Sequence, residues 1–291
     1  NSSGLHIDEI AAMTKRPEDV IGLHFFSPAN VMKLLEVVRA DHTADDVVAT
    51  SMKVAKEINK VAVMAGVCPG FVGNRILRAR QVQANKLLYK GVMPWDIDAA
   101  INDFGFKMGP YQMSDLAGLD IGWSKGAKTA NPIRDALCEM DRRGQKTGAG
   151  YYDYDEARNR KPSEVTEKVI RDVTGAEPST MTKDEITETL IFSMINEAVK
   201  ILEDNKAQRP SDIDVIWING YGWPQDKGGP MYYGDMVGPK AVLARMEKLG
   251  AEDPDFAPAE TLKKLAAEGG SFVDLDLGGL KTAGTEKRKA G

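Results

Sequence analysis

The chain has 291 residues, 42% hydrophobic and 28% charged, with a formal net charge of −5. That is the composition of a globular protein long enough for two or three modest domains, and its acidic balance excludes a general nucleic-acid binder. Cys68 and Cys138 are the only cysteines, which excludes a disulfide framework and a cysteine zinc site, and no apolar run approaches the length of a membrane span.

Asn1 to Leu5 reads as a loop entering a short helix over Ile7 to Met13, and with no initiator methionine the chain is expected to be a fragment. The next segment, Val20-Ile21-Gly22-Leu23-His24-Phe25-Phe26-Ser27-Pro28, predicts a buried strand that ends at the proline. A titratable ring in such a strand needs a polar partner. Glu36 offers one, set in a second apolar run from Val31 to Val38. If the two strands are neighbours, the carboxylate fixes the imidazole tautomer and stabilises the imidazolium, as general-base chemistry requires. A purely structural buried pair would give the same pattern, and spacing alone leaves both readings open.

Thr43 is placed as the N-cap of a helix running to about Asn59, followed by a strand from Val61 to Met64. Strand, helix and strand in alternation predict an α/β sheet. Cys68-Pro69-Gly70 then breaks the pattern, and a helical periodicity carries Phe71, Val72, Ile76, Leu77, Leu87 and Leu88 up to Gly91. Further on, a ribbon is expected at Tyr151 to Tyr154, and a polar linker containing a helix from Asp155 to Lys183. The last forty residues are weakly patterned.

An internal repeat organises the second half. Residues 83–122 hold Pro94-Trp95-Asp96-Ile97-Asp98, Phe104-Gly105-Phe106, Gly109-Pro110, Asp115 and Gly118. Residues 197–238 hold Pro210-Ser211-Asp212-Ile213-Asp214, Tyr221-Gly222-Trp223, Gly229-Pro230, Asp235 and Gly238 in the same order. Each copy reads as helix, turn, helix, with proline at the helix starts, and the two copies are expected to pack on each other. The aromatic residues of the repeats are assigned to the core.

Together these motifs resemble the 3-hydroxyacyl-CoA dehydrogenase family. The resemblance rests on His24-Phe25-Phe26-Ser27-Pro28, on Met32-Lys33-Leu34-Leu35-Glu36-Val37-Val38 and on Pro69-Gly70-Phe71-Val72-Gly73-Asn74-Arg75. Two later stretches, Gly105 to Pro110 and Gly144 to Tyr152, agree with it, and the second copy resembles the duplicated domain of multifunctional fatty-acid oxidation enzymes. The family's Gly-x-Gly-x-x-Gly dinucleotide turn does not occur in this sequence.

The resemblance implies an α/β remnant of a Rossmann domain followed by a mainly α-helical, duplicated C-terminal domain. The divisions fall at 1–67 for the C-terminal part of the NAD-binding domain, 68–183 for the first helical copy and 184–291 for the second. It implies NAD-dependent oxidation of a 3-hydroxyacyl-CoA to the 3-ketoacyl-CoA in fatty-acid β-oxidation by the parent protein, the isolated chain being inactive. The catalytic residues it implies are His24 as base, Glu36 as its holder, Asn74 as an amide donor to substrate oxygens, and Ser3 near the hydroxyl and the nicotinamide. Helix capping is the alternative for Asn74. Ser3, Ser27 and Lys33 fall at cofactor-binding positions, with NAD as cofactor and no metal. His6 and His42 are assigned to the surface. The implied partners are the acyl-CoA substrate and a hydratase domain or thiolase attached to the parent, with no nucleic acid and no membrane span. Lys287 to Gly291 is not a Ser-Lys-Leu address, so a bacterial, cytoplasmic location is expected over a peroxisomal one. The competing reading is a non-catalytic helical assembly module of a multifunctional complex.

Overall fold

The computed structural model describes residues 2–280, so the expectation drawn from Lys287 to Gly291 falls outside the described residues. The chain begins with helix α1, Ile7–Ala12, and a three-stranded sheet of β1 (Gly22–Phe25), β2 (Leu34–Arg39) and β3 (Val61–Gly66). β1 runs antiparallel to β2, and β2 runs parallel to β3 through a crossover helix α2, Asp45–Glu57.

The alternation of side chains along β1 and β2 sorts them between two faces. Leu23, Phe25, Leu35 and Val37 take one face, where they pack with Met52 and Ala55 of α2. His24 and Glu36 take the other, as a directly opposed antiparallel pair. The expected N-cap does not form: α2 starts after Ala44 with no side-chain cap. Thr43 is instead buried, donating its hydroxyl to the Val20 carbonyl at 2.6 Å and accepting from the Ala40 amide at 3.0 Å. A buried hydroxyl with two backbone partners nearby serves those before it serves an exposed helix start.

Helices follow: α3 (Gly73–Tyr89), α4 (Pro94–Phe104), α5 (Pro110–Ala117) and α6 (Pro132–Glu139). The region expected to be a linker is more ordered than its polarity suggests. It holds strand β5 (Arg160–Pro162), paired with β4 (Tyr152–Tyr154), and helix α7 (Glu164–Thr174) capped by Ser163. Arg142 supports this region, donating to the Gly150 carbonyl, to Asp153 and to the Ser163 hydroxyl. The chain closes with α8 (Lys183–Glu203), α9 (Pro210–Gly220), α10 (Pro230–Val237), α11 (Pro239–Glu252) and α12 (Glu260–Glu268). Two compact units result, one from residues 1–79 with 191–291 and one from 80–190. This spatial division differs from the repeat-based boundaries at 67/68 and 183/184.

Both copies of the repeat are built on the same polar device. In the first, the buried Asp98 of α4 accepts from the Tyr111 and Gln112 amides at 2.9 and 2.8 Å, capping α5. In the second, Asp214 of α9 accepts from the Met231 and Tyr232 amides at 2.7 and 3.2 Å, capping α10. These amides lack partners inside their own helices, and the carboxylates supply them. The Gly-Pro turns follow from this, because a Cβ at Gly109 or Gly229 would overlap the Asp98 or Asp214 carboxylate.

The copies extend further than the sequence indicated. Asp115 accepts from the Tyr151 and Tyr152 amides and the Tyr154 hydroxyl. Asp235 accepts from the Phe272 and Val273 amides and the Ser271 hydroxyl. The weakly patterned tail therefore holds the counterpart of the Tyr151-Tyr152 segment.

Burial pushes the Asp98 carboxyl up to about 6, against the amides and the Tyr152 hydroxyl that favour its charged form. Burial pushes Asp214 up to about 7, where no phenol helps and Asp235 adds repulsion. A raised carboxyl pKa means the folded state holds its proton more tightly than the unfolded state. Its stabilising contribution is complete below the unfolded value of about 3.9 and is lost as pH rises through the folded value. Between about pH 4 and 7, D214N is expected to flatten the dependence of the urea midpoint on pH, and carboxyl NMR titration should place Asp214 above Asp98. Separately, G109A should destabilise the protein by about 1–3 kcal/mol through overpacking against Asp98, measured by urea denaturation.

Candidate active site

The geometry begins with the opposed pair on β1 and β2. His24 Nδ1 and Glu36 Oε2 are 2.7 Å apart, with 1% of the histidine and none of the glutamate exposed. The second carboxylate oxygen, Oε1, accepts from the Gly73 amide at 2.9 Å. Gly73 is the first residue of α3, so the carboxylate sits at the positive end of that helix. With both oxygens engaged, Glu36 is held in one orientation and so is the imidazole. An Nδ1–H donated to Glu36 puts the ring's lone pair on Nε2.

The turn before α3 packs the imidazole. Gly70 and Phe71 both have left-handed backbones, at φ +84 and +50. A bulky L-residue is strained at such a value, and Phe71 is held there by complete burial. Its ring lies 5.4 Å from the His24 ring, and the Phe26 ring lies 4.7 Å away on centroid distances. Arg75 anchors the same turn of α3, pairing with Glu197 at 2.6 Å and Asp204 at 2.8 Å.

Asn74 follows Gly73 in the first turn of α3. Its Oδ1 accepts from the Tyr221 hydroxyl at 2.7 Å. That contact replaces the helix-capping alternative. Asn74 and Ser3 line one cavity of about 320 Å³ with Gly4, Cys68, Gly70 and Arg78 among its other walls. The Ser3 carbonyl also accepts from the Gly70 amide at 3.2 Å. Burial pushes the Cys68 thiol up, against the lowering effect of Arg75, so the cavity offers no thiolate nucleophile at neutral pH.

The structure thus brings His24, Glu36 and Asn74 together through Gly73, and Ser3 and Asn74 together around the cavity. Ser27 and Lys33 are exposed, lie in the connection between β1 and β2 and do not line the cavity. His6 is exposed at the cavity, 3.9 Å from Asp8, and His42 is exposed. Sequence reasoning missed Gly73 and Tyr221. The signal for Gly73 was a glycine directly before Asn74; the repeat marked Tyr221 as a core aromatic, and nothing in the sequence tied it to Asn74, 147 residues away. Among the described residues no group of three or more potential ligands could hold a metal, and no helix is long and apolar enough to cross a membrane.

Comparison with known proteins agrees with the motifs. The family described as 3-hydroxyacyl-CoA dehydrogenase, NAD binding domain, matches residues 1–68. The one described as 3-hydroxyacyl-CoA dehydrogenase, C-terminal domain, matches residues 70–154 and 186–271. The peroxisomal bifunctional enzyme of Cavia porcellus is 46% identical, over 92% of this chain and 41% of its own length. The fatty acid oxidation complex subunit alpha of Shewanella amazonensis is 37% identical, over 94% of this chain and 40% of its own length. The crystal structure of the dehydrogenase part of multifunctional enzyme 1 from C. elegans superposes with a TM-score of 0.66 at 31% identity, covering 91% of this chain and 63% of that one. The chain therefore spans about two-fifths of the length of the full-length relatives it matches. Matched by both domain descriptions of the family along most of its length, the chain belongs to the 3-hydroxyacyl-CoA dehydrogenase family.

Proposed function

We propose that the protein containing this chain oxidises a 3-hydroxyacyl-CoA to the 3-ketoacyl-CoA with NAD, in fatty-acid β-oxidation. The observation that carries this reading is the buried His24–Glu36 pair whose second carboxylate oxygen is tied to the Gly73 amide. The reaction removes a proton from the C3 hydroxyl and a hydride from C3. His24 Nε2 takes the proton, and Glu36 stabilises the imidazolium that results. Asn74 donates its Nδ2–H to a substrate oxygen, and Ser3 faces the same cavity. When bound, NAD supplies the acceptor for the hydride.

The residues present fit the reacting end of that cofactor and not its phosphates. The donor set around His24 suits proton removal, whereas the sequence contains no Gly-x-Gly-x-x-Gly turn to cradle a pyrophosphate. Ser27 and Lys33 are carried as cofactor-side positions on the exposed β1–β2 connection. The functional divisions are 1–67, 68–183 and 184–291, which the two matches of the C-terminal family description support. A hydratase domain attached to the parent is supported by the names of the multifunctional relatives, and a thiolase partner is carried with it. For location we carry the bacterial cytoplasm on the likeness to the fatty acid oxidation complex subunit alpha; the peroxisomal relatives support the opposite, and fractionation decides. A non-catalytic assembly module would leave the doubly held glutamate with a packing role alone.

In the full-length enzyme, H24Q is expected to lower turnover by about two to four orders of magnitude with the fold intact by circular dichroism. Near-normal turnover would overturn the assignment. Calorimetric titration of the 291-residue chain with NAD should show no saturation in the micromolar range, because the phosphate turn is missing. Micromolar affinity would mean that the residues present suffice.

A further inference from the structure

Tyr221 lies in the second helical copy, which has no histidine strand of its own and which the sequence assigns to the core. It nevertheless touches the site at several points. Its hydroxyl donates to Asn74 Oδ1 at 2.7 Å. Its ring stacks on Trp217, with centroids 4.4 Å apart and planes 23° from parallel, and meets the Phe26 ring edge-on at 5.4 Å. A Cβ at Gly73 would lie 2.5 Å from the Tyr221 hydroxyl oxygen, so the glycine leaves the room that the phenol occupies.

We propose that Tyr221 is a positioning residue of the active site, whose hydroxyl fixes the Asn74 amide with Nδ2 turned toward the cavity. The inference rests on the reading of Asn74 as a donor to substrate oxygens. An asparagine amide has two faces, an acceptor and a donor, and a half-turn exchanges them. Presented to a keto or thioester oxygen, Oδ1 repels and Nδ2–H binds. A hydroxyl donating to Oδ1 from the far side selects the binding orientation before substrate arrives, which is preorganisation.

The counterpart in the first copy separates this role from packing. Phe104 occupies the position that Tyr221 occupies in the repeat, and it is buried and stacked on Phe106 at 5.8 Å. An aromatic ring without a hydroxyl meets the repeat's packing need. The oxygen on Tyr221 goes beyond that need, and Asn74 receives its proton. The two copies then divide the work: the first carries the amide and the second sets its direction.

The test is a double-mutant cycle on the full chain, titrated calorimetrically with a 3-ketoacyl-CoA. Y221F should weaken binding by about five- to tenfold, with the melting temperature within about 4 °C of the parent. N74A should weaken binding at least as much, and Y221F added to N74A should cost nothing further, since the hydroxyl acts only through the amide. Replacing Tyr221 by 4-aminophenylalanine, which restores a donor at the same place, should recover most of the affinity, and this variant carries the test if Y221F does not fold. Unchanged binding by Y221F, additive losses in the double variant, or no recovery by the amino analogue would overturn the role of Tyr221. Unchanged binding by N74A would overturn the role of Asn74 and this inference with it. A wild-type chain that takes no 3-ketoacyl-CoA would overturn the acyl-CoA reading on which both stand.

Discussion

The Glu36 carboxylate is fully buried, and the site depends on how its charge is satisfied. One oxygen meets His24 and the other meets the first amide of α3. Leaving a carboxylate buried with either partner missing costs several kcal/mol, roughly 3–5 when an ion pair is broken. This couples three pieces of the chain: β1, β2 and the start of α3. The sheet register must oppose residues 24 and 36, and α3 must begin at Gly73 and point its amide at the strand. Asn74 is then placed as the next residue of the same turn. Geometry at the site is a consequence of satisfying one buried charge.

The histidine and its partner were legible because each interrupts an apolar run that reads as a buried strand. Val, Ile, Leu and Phe around His24 and around Glu36 fixed both as buried, and a buried ring and a buried acid twelve residues apart have few partners other than each other. Asn74 was legible through the motif that carries it. Thr43 misled because a threonine ahead of a helical pattern signals a cap, whereas here tertiary burial gave its hydroxyl better partners. The polar stretch after Asp155 misled because Arg142, from outside it, supplies its order. The ribbon at Tyr151 to Tyr154 and a helix within that stretch were anticipated; strand β5 was not.

The repeat was visible where side chains matched and invisible where only backbone did. Asp98 and Asp214, with their Gly-Pro turns, keep identity because the carboxylate and the missing Cβ are both required. In the later segments, Asp115 and Asp235 grip amides, and amides belong to every residue. Tyr151-Tyr152 and Phe272-Val273 could therefore diverge while the same bond persisted. Divergence also has an electrostatic trace: Tyr152 gives Asp98 a hydroxyl that Asp214 does not receive.

The Tyr221–Asn74 contact has a consequence for biosynthesis. The two residues lie 147 apart in the chain, whereas His24 and Glu36 lie 12 apart. At a ribosomal rate of about 5–20 residues per second, the phenol follows the asparagine out of the tunnel by roughly 7–30 s. The nascent chain can set its sheet register in that interval, and the aromatic slot beside Gly73 stays open until the second copy arrives to fill it.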